Sequence, residues 1–237
     1  YKKAGDTITI IVEFSENITV QGRPRLRLDM RADDRNVDMS SSSGNTLTFN
    51  YTVRDEDNSS DLDYVASESL TLNGGSITAT SDNEEADRTL PDPGEDHSLG
   101  DNADIVIDTS EPEVTASELD DPTNDSTPTL QATANDNADG SGIKRVVFQV
   151  RCKDSTCNPA NADWTIVGES RTPAQTSQYE FTVTSPLSGT YELHAVAEDN
   201  AGNTVTSSNV ELIVDVTEPL APTITNPEVD NSIIDDD

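Results

Sequence analysis

The sequence predicts an all-β protein: two tandem antiparallel β-sandwiches followed by a strand that belongs to a further module. Three observations carry this. Apolar residues alternate with polar ones in short runs along the 237-residue chain. The runs are separated by stretches rich in Gly, Ser, Asn and Asp, with no convincing helical stretch. The same phrase closes both halves, Ile-Val-Ile-Asp-Thr-Ser-Glu-Pro at 105–112 and Ile-Val-Asp-Val-Thr-Glu-Pro at 213–219.

In the first half, Ile8, Ile10, Val12 and Phe14 alternate with Thr7, Thr9, Ile11 and Glu13, the period of two of a strand with one face on a core. The pattern returns at Leu26, Leu28 and Met30, and again at Leu47, Phe49, Tyr51 and Val53. Shorter runs sit at 70–72, near Ile77 and at 105–107. The second half repeats the style at 129–134, at Val146, Phe148 and Val150, and at Trp164 with Ile166, both expected in the core. It continues at Tyr179, Phe181 and Val183, at Tyr191, Leu193, Ala195 and Ala197, and at Val210, Leu212 and Val214. The expected organisation is a sandwich over 1–108 without its first strand, a second over 109–219, and a linker plus first strand of the next module or subunit over 220–237. Prolines at 112 and 219 stiffen the exits.

Charge excludes one class of partner. With 46 acidic against 14 basic side chains and a formal net charge of -32, the chain has the wrong sign for nucleic acid. Such a surface either simply solubilises the protein or gathers hard, oxygen-seeking cations, chiefly calcium. The sequence shows no signal peptide, transmembrane run or lipidation motif, so no membrane insertion is expected of this segment, which reads as an internal stretch of something longer. Cys152 and Cys157 are the only cysteines; a local disulfide and two free thiols are the alternatives, the second disfavoured outside the cell.

Three acidic clusters are candidate calcium sites, because calcium takes six to eight oxygens from flexible loops. The first is Asp57, Asp61 and Asp63 within one turn. The second joins Asp136, Asp139 and Asp199 to the linker carboxylate Asp108. The third joins Asp215 and Glu218 to the turn at Asp235 and to Asp6 of a following unit. None has the spacing of an EF-hand, and each is equally readable as a solvated acidic turn.

Catalysis finds no footing in the motifs. His97 lies in a loop and His194 on a strand, with no Gly-x-Ser-x-Gly elbow and no His-Glu-x-x-His pattern beside them. A single tryptophan offers no sugar platform for a pair of glycosidase carboxylates. Asn17, Asn50, Asn58 and Asn124 open Asn-x-Ser/Thr sequons that would be glycan acceptors outside the cell.

Several ordered segments in residues 1–108 carry a resemblance: Tyr-Lys-Lys-Ala-Gly-Asp-Thr-Ile-Thr-Ile, Val-Glu-Phe-Ser-Glu-Asn-Ile-Thr-Val, Leu-Thr-Phe-Asn-Tyr-Thr-Val, Asp-Leu-Asp-Tyr, Leu-Asn-Gly-Gly and His-Ser-Leu-Gly. Together they resemble the immunoglobulin-like and cadherin-like repeats of giant bacterial adhesins. Residues 111–219 are similar to another bacterial immunoglobulin-like repeat through Asn-Asp-Ser-Thr-Pro-Thr-Leu, Asp-Gly-Ser-Gly-Ile and Ala-Glu-Asp-Asn-Ala-Gly-Asn, although the cysteine loop departs from the pattern. The resemblance implies extracellular stalks, calcium at module junctions and no catalysis.

In the resembling repeat the Tyr-Lys-x-Gly-Asp segment follows a first strand and an acidic turn. Here those features stand at the other end, in residues 221–237, so a head-to-tail array of identical units is expected, either covalent or made by strand donation. An arbitrary chain boundary is the alternative. The function expected is a calcium-rigidified structural unit of an adhesin stalk or filament. The rivals are an adhesin tip that binds a cell-surface or glycan ligand, and an accessory module of a secreted hydrolase.

Overall fold

A computed structural model of the chain describes residues 1–119, 122–138, 140–155 and 157–223. The first half contains β1 (Thr7–Glu13), β2 (Ile18–Gln21), β3 (Arg25–Leu28), β4 (Arg35–Ser43), β5 (Thr46–Thr52), β6 (Asn58–Ser59), β7 (Leu70–Thr71), β8 (Ser76–Ala79), the helical turn α1 (Leu99–Asn102) and β9 (Ile107–Asp108). The second half contains β10 (Glu113–Ala116), β11 (Thr129–Asn135), β12 (Ile143–Cys152), β13 (Thr165–Ser170), β14 (Gln178–Thr182), β15 (Gly189–Asp199), β16 (Thr204–Thr206) and β17 (Val210–Val214).

Over the described residues the architecture is all-β, in antiparallel immunoglobulin-like sandwiches as expected; the strand expected within 220–237 lies outside the described residues from 224 onward. In the first half, a sheet ordered β1-β5-β4-β3-β7 packs over the paired strands β2-β8 and β6-β9. Ile8, Leu26, Leu28, Leu47, Phe49 and Leu70 from the large sheet meet Ile77 and Ile107 from the small pairs in one core. In the second half, β10-β11-β14 faces β13-β12-β15-β16, with β17 also on β15. Leu130, Ala132 and Tyr179 interdigitate with Phe148, Tyr191, Leu193 and Leu212 in a separate core.

Local chemistry explains the turns. At Asn73 and Gly74 the chain takes two successive left-handed residues (φ 50° and 81°), leaving β7 and entering β8. A Cβ on Gly75 would lie 2.1 Å from the carbonyl oxygen of Gln21, so the Leu-Asn-Gly-Gly phrase is fixed by a close backbone approach.

One single helical turn accompanies the strands: Ser98 caps α1, its hydroxyl accepting from the Asp101 amide at 3.1 Å. One expectation needs correction. Trp164 and Ile166 are not core. Ile166, on β13, is 64% exposed, and Trp164, just before that strand, stacks on His194 at 3.7 Å, with Arg151 4.8 Å from its ring.

Cys152 and Cys157 form a disulfide. It closes the loop after β12.

Candidate junction carboxylate site

Asp108 ends β9, the last strand of the first sandwich, and is completely buried. One carboxylate oxygen accepts from the Ser110 amide at 3.1 Å and the other from the Ser141 amide at 2.7 Å, which belongs to the second sandwich. Its carbonyl oxygen accepts from Asn203 Nδ2 at 3.0 Å. Lys3 adds a third link between the halves, donating through Nζ to the Gly202 carbonyl at 2.9 Å.

Asp199 ends β15 and is likewise completely buried. Its Oδ1 accepts from the amides of Gly202 (2.6 Å) and Asn203 (2.9 Å), while Oδ2 accepts from Asn203 Nδ2 at 2.8 Å. Asp136 follows β11 and accepts from the amides of Asn137 (2.9 Å) and Gly142 (2.6 Å). Asn200 fastens the same loop through the carbonyls of Ser141 and Gly142.

Carboxylate oxygens of Asp108, Asp136 and Asp199 all lie within 4.8 Å of one another. Burial raises the Asp136 pKa above the ordinary carboxylate range; the Gly142 and Asn137 amides oppose that, and the charges of Asp108 and Asp199 add to it. Like charges this close repel by roughly 3–4 kcal/mol per pair at an effective dielectric near 20. Among the described residues, no Lys or Arg forms an ion pair with any of the three. A hard divalent cation would remove that repulsion, and the donor set is all oxygen.

The other candidate residues fall into different settings. Asp57 does not join Asp61 and Asp63. It is completely buried in the first sandwich, where Arg35 Nε donates to it at 2.7 Å, the Arg54 amide at 2.7 Å, and the Tyr51 hydroxyl makes a short bond. Burial first, and Asp57 second, push the Tyr51 hydroxyl up to about 12. These three donors engage both carboxylate oxygens of Asp57 within the first sandwich, apart from Asp61 and Asp63.

Asp61 and Asp63 flank Gly100: a Cβ there would meet their carboxylates at 3.3 and 3.0 Å. Burial raises the Asp61 pKa, with Asp104 and then Asp63 adding to it, so Asp104 belongs to this group although nothing in its sequence setting marks it. Asp6 closes a local turn with the Lys3 amide at 3.1 Å. Asp215 is exposed and caps Thr217, whose hydroxyl and amide hold its carboxyl below the ordinary range. Asp139 and Asp235 lie outside the described residues.

Residues of the junction absent from the sequence-based candidates are Ser141, Asn203 and Gly140. The signal was present, since Asp-Gly-Ser-Gly-Ile at 139–143 and Ala-Glu-Asp-Asn-Ala-Gly-Asn at 197–203 stand out as phrases, and the fold brings them together. His97 is an exposed loop residue with a left-handed backbone (φ 70°). His194 bonds Gln149 at 2.9 Å.

No protein-family model and no curated protein matches the chain. Among solved structures it is similar to fibronectin(III)-like modules of Clostridium thermocellum CbhA, at 16% identity over 94% of each chain with a TM-score of 0.39. It is also similar to a DUF3823 family protein from Bacteroides ovatus, at 13% identity over 90% of this chain and all of that one, with a TM-score of 0.31.

Proposed function

We propose that this chain is a non-enzymatic structural unit of an extracellular stalk or filament, its two sandwiches locked into one orientation by calcium at the Asp108–Asp136–Asp199 junction. The observation that carries the reading is the origin of the three carboxylates: one ends the last strand of the first sandwich, one ends β15 and one follows β11 in the second, and two of the three are completely buried. A cation held by both halves stiffens their junction, whereas bare carboxylates push across it. Asp108, Asp136 and Asp199 would supply the charged oxygens.

An extracellular setting agrees with the Cys152–Cys157 disulfide, which persists in oxidising compartments. No helix among the described residues is long and apolar enough to cross a membrane.

The test is a calorimetric calcium titration paired with small-angle scattering in calcium and in chelator. The reading expects saturable binding, a rise in melting temperature and a narrower spread of inter-domain distances with calcium. Identical melting and scattering in the two conditions would overturn it.

A further inference from the structure

The larger sheet of the second sandwich has two faces of different character. Core residues alternate along β12 and β15, so the residues between them share the outer face. Ile166 joins that face from β13, standing opposite Gln149 in register. Among the described residues, the elements packed most closely on β12 and β15 are their sheet neighbours and strands across the core, none of which lies over this face.

Charge there is nearly balanced, in a chain of net charge -32. Every basic side chain between residues 109 and 219 reaches a glutamate of this sheet. Lys144 and Arg145 pair with Glu198, Arg145 and Arg171 with Glu169, Arg151 with Glu192, and Lys153 with Glu211. Elsewhere the acidic excess opposes contact between copies; here it does not.

Between these ion pairs the face is apolar and aromatic. Ile166 is 64% exposed. Trp164 stacks on His194, which is left only 8% exposed although it stands on the outer face, and Arg151 reaches the same ring. A tryptophan and an arginine beside an exposed aliphatic, ringed by paired charges, is the composition of an interface centre.

The pattern is self-complementary. Across the two central strands, Arg151 stands opposite Glu192 and Arg145 opposite Glu198, with Gln149 opposite His194 and Val147 opposite Val196 between them. A two-fold axis parallel to the strands and midway between β12 and β15 lays β12 of one copy over β15 of the other at the same height. Each arginine then meets a glutamate, the amide meets the imidazole, and valine meets valine. The area suffices as well: four strands about 4.8 Å apart and the ten residues of β12 at about 3.3 Å each give roughly 600 Å² per copy. A pair then buries roughly 1,200 Å², the lower end of specific interfaces.

We propose that the outer face of β13-β12-β15 is an interface between two copies of this chain, stacked sheet on sheet about that axis, with Trp164 and Ile166 at its apolar centre. This joins two units side by side. It goes beyond the junction reading and does not depend on the metal.

The experiment uses the full 237-residue chain in chelator throughout. Sedimentation velocity over a concentration series should show a monomer passing to a dimer. Ile166→Glu, at a position already exposed, should weaken the dimer by at least about tenfold with unchanged melting. Arg151→Glu and Glu192→Arg should each remain monomeric alone, because each stacks like charges across the axis, whereas their equimolar mixture should dimerise. A wild-type monomer at every concentration overturns the proposal, and retardation of that monomer by a soluble β-glucan in a native gel, lost in Trp164→Ala, would give the face to a glycan instead. Dimerisation that survives Ile166→Glu overturns it too, as does a mixture of the folded charge variants that stays monomeric; if either charge variant unfolds, Ile166→Glu alone decides. Because calcium is absent from every arm, failure here is separate from failure of the junction reading.

Discussion

The Ser141 amide donates to the carboxylate of Asp108 at 2.7 Å, tying the loop before β12 to the last strand of the first sandwich. This bond places a buried charge from one sandwich among the carboxylates of the other. The junction is thus organised by acids that repel one another when bare, the conflict that the proposed calcium would relieve.

Asp136→Asn separates the two roles. The change relieves repulsion from Asp108 and Asp199, but it turns one of the two acceptors facing the Asn137 and Gly142 amides into a donor. A lost charge-assisted bond costs about 1.5–3 kcal/mol, against roughly 3 kcal/mol of relieved repulsion per pair. Because two such pairs are relieved, the balance favours the variant in chelator, and its melting temperature there should rise above that of the wild type. In calcium, the metal-induced rise should disappear. Differential scanning calorimetry with and without calcium checks both; an equal drop in the two conditions would mean that Asp136 is merely structural.

Arg35→Ala tests the buried ion pair that holds Asp57 inside the first sandwich. The substitution leaves the Asp57 carboxylate buried with only the Tyr51 hydroxyl and the Arg54 amide. Stranding one partner of a buried pair costs about 3–5 kcal/mol, and the surviving donors place this case near the lower end. The loss should appear in the first sandwich's unfolding in urea and be indifferent to calcium.

The strand pattern was legible wherever a face is uniformly apolar, as along β5 and β15. β4 was not, because Arg35–Ser43 offers only Val37 and Met39 to the core and ends in four serines, although it sits between β3 and β5. Asp108 and Asp199 were readable as junction candidates because each ends a strand phrase. Asp57 misled: acidic neighbours in a turn suggest a shared ligand set, whereas the partner that decides its role, Arg35, comes from a strand 22 residues away. Trp164 misled for a related reason. Alternation assigns Trp164 and Ile166 to one face but does not say which, and the irregular register between Phe148 and Gln149 opposite β13 is invisible in the sequence.

His194 gives the protein a pH dependence. Its burial lowers the imidazole pKa below 6.5, Asn209 opposing and Arg151 reinforcing. The unfolded chain then binds more protons than the folded one between the two pKa values. The contribution of His194 is fully present above about pH 6.5 and declines as pH falls toward the folded value. Melting temperature should drop on going from about pH 7.5 to about pH 5.5, and His194→Gln should flatten that slope. A proton NMR titration of the ring should show a midpoint below that of a free histidine. A midpoint at or above the free value would sink the account.

Gly140→Ala probes the geometry of the junction without touching a charge. A Cβ at this position would fall 2.4 Å from Oδ2 of Asp136 and 2.6 Å from its Oδ1, closer than any stable contact allows. Relief requires the carboxylate to swing away, which breaks its bond from the Gly142 amide and opens the cluster with Asp108 and Asp199. The expected stability cost in chelator is about 1–3 kcal/mol, that of a buried bond left unmade. Calcium affinity should fall by at least about tenfold, equivalent to 1.4 kcal/mol, because Asp136 is one of the three carboxylates gathered there among the described residues. Isothermal calorimetry on the folded variant measures this directly. Unchanged affinity would show that the cation is held by residues other than Asp136.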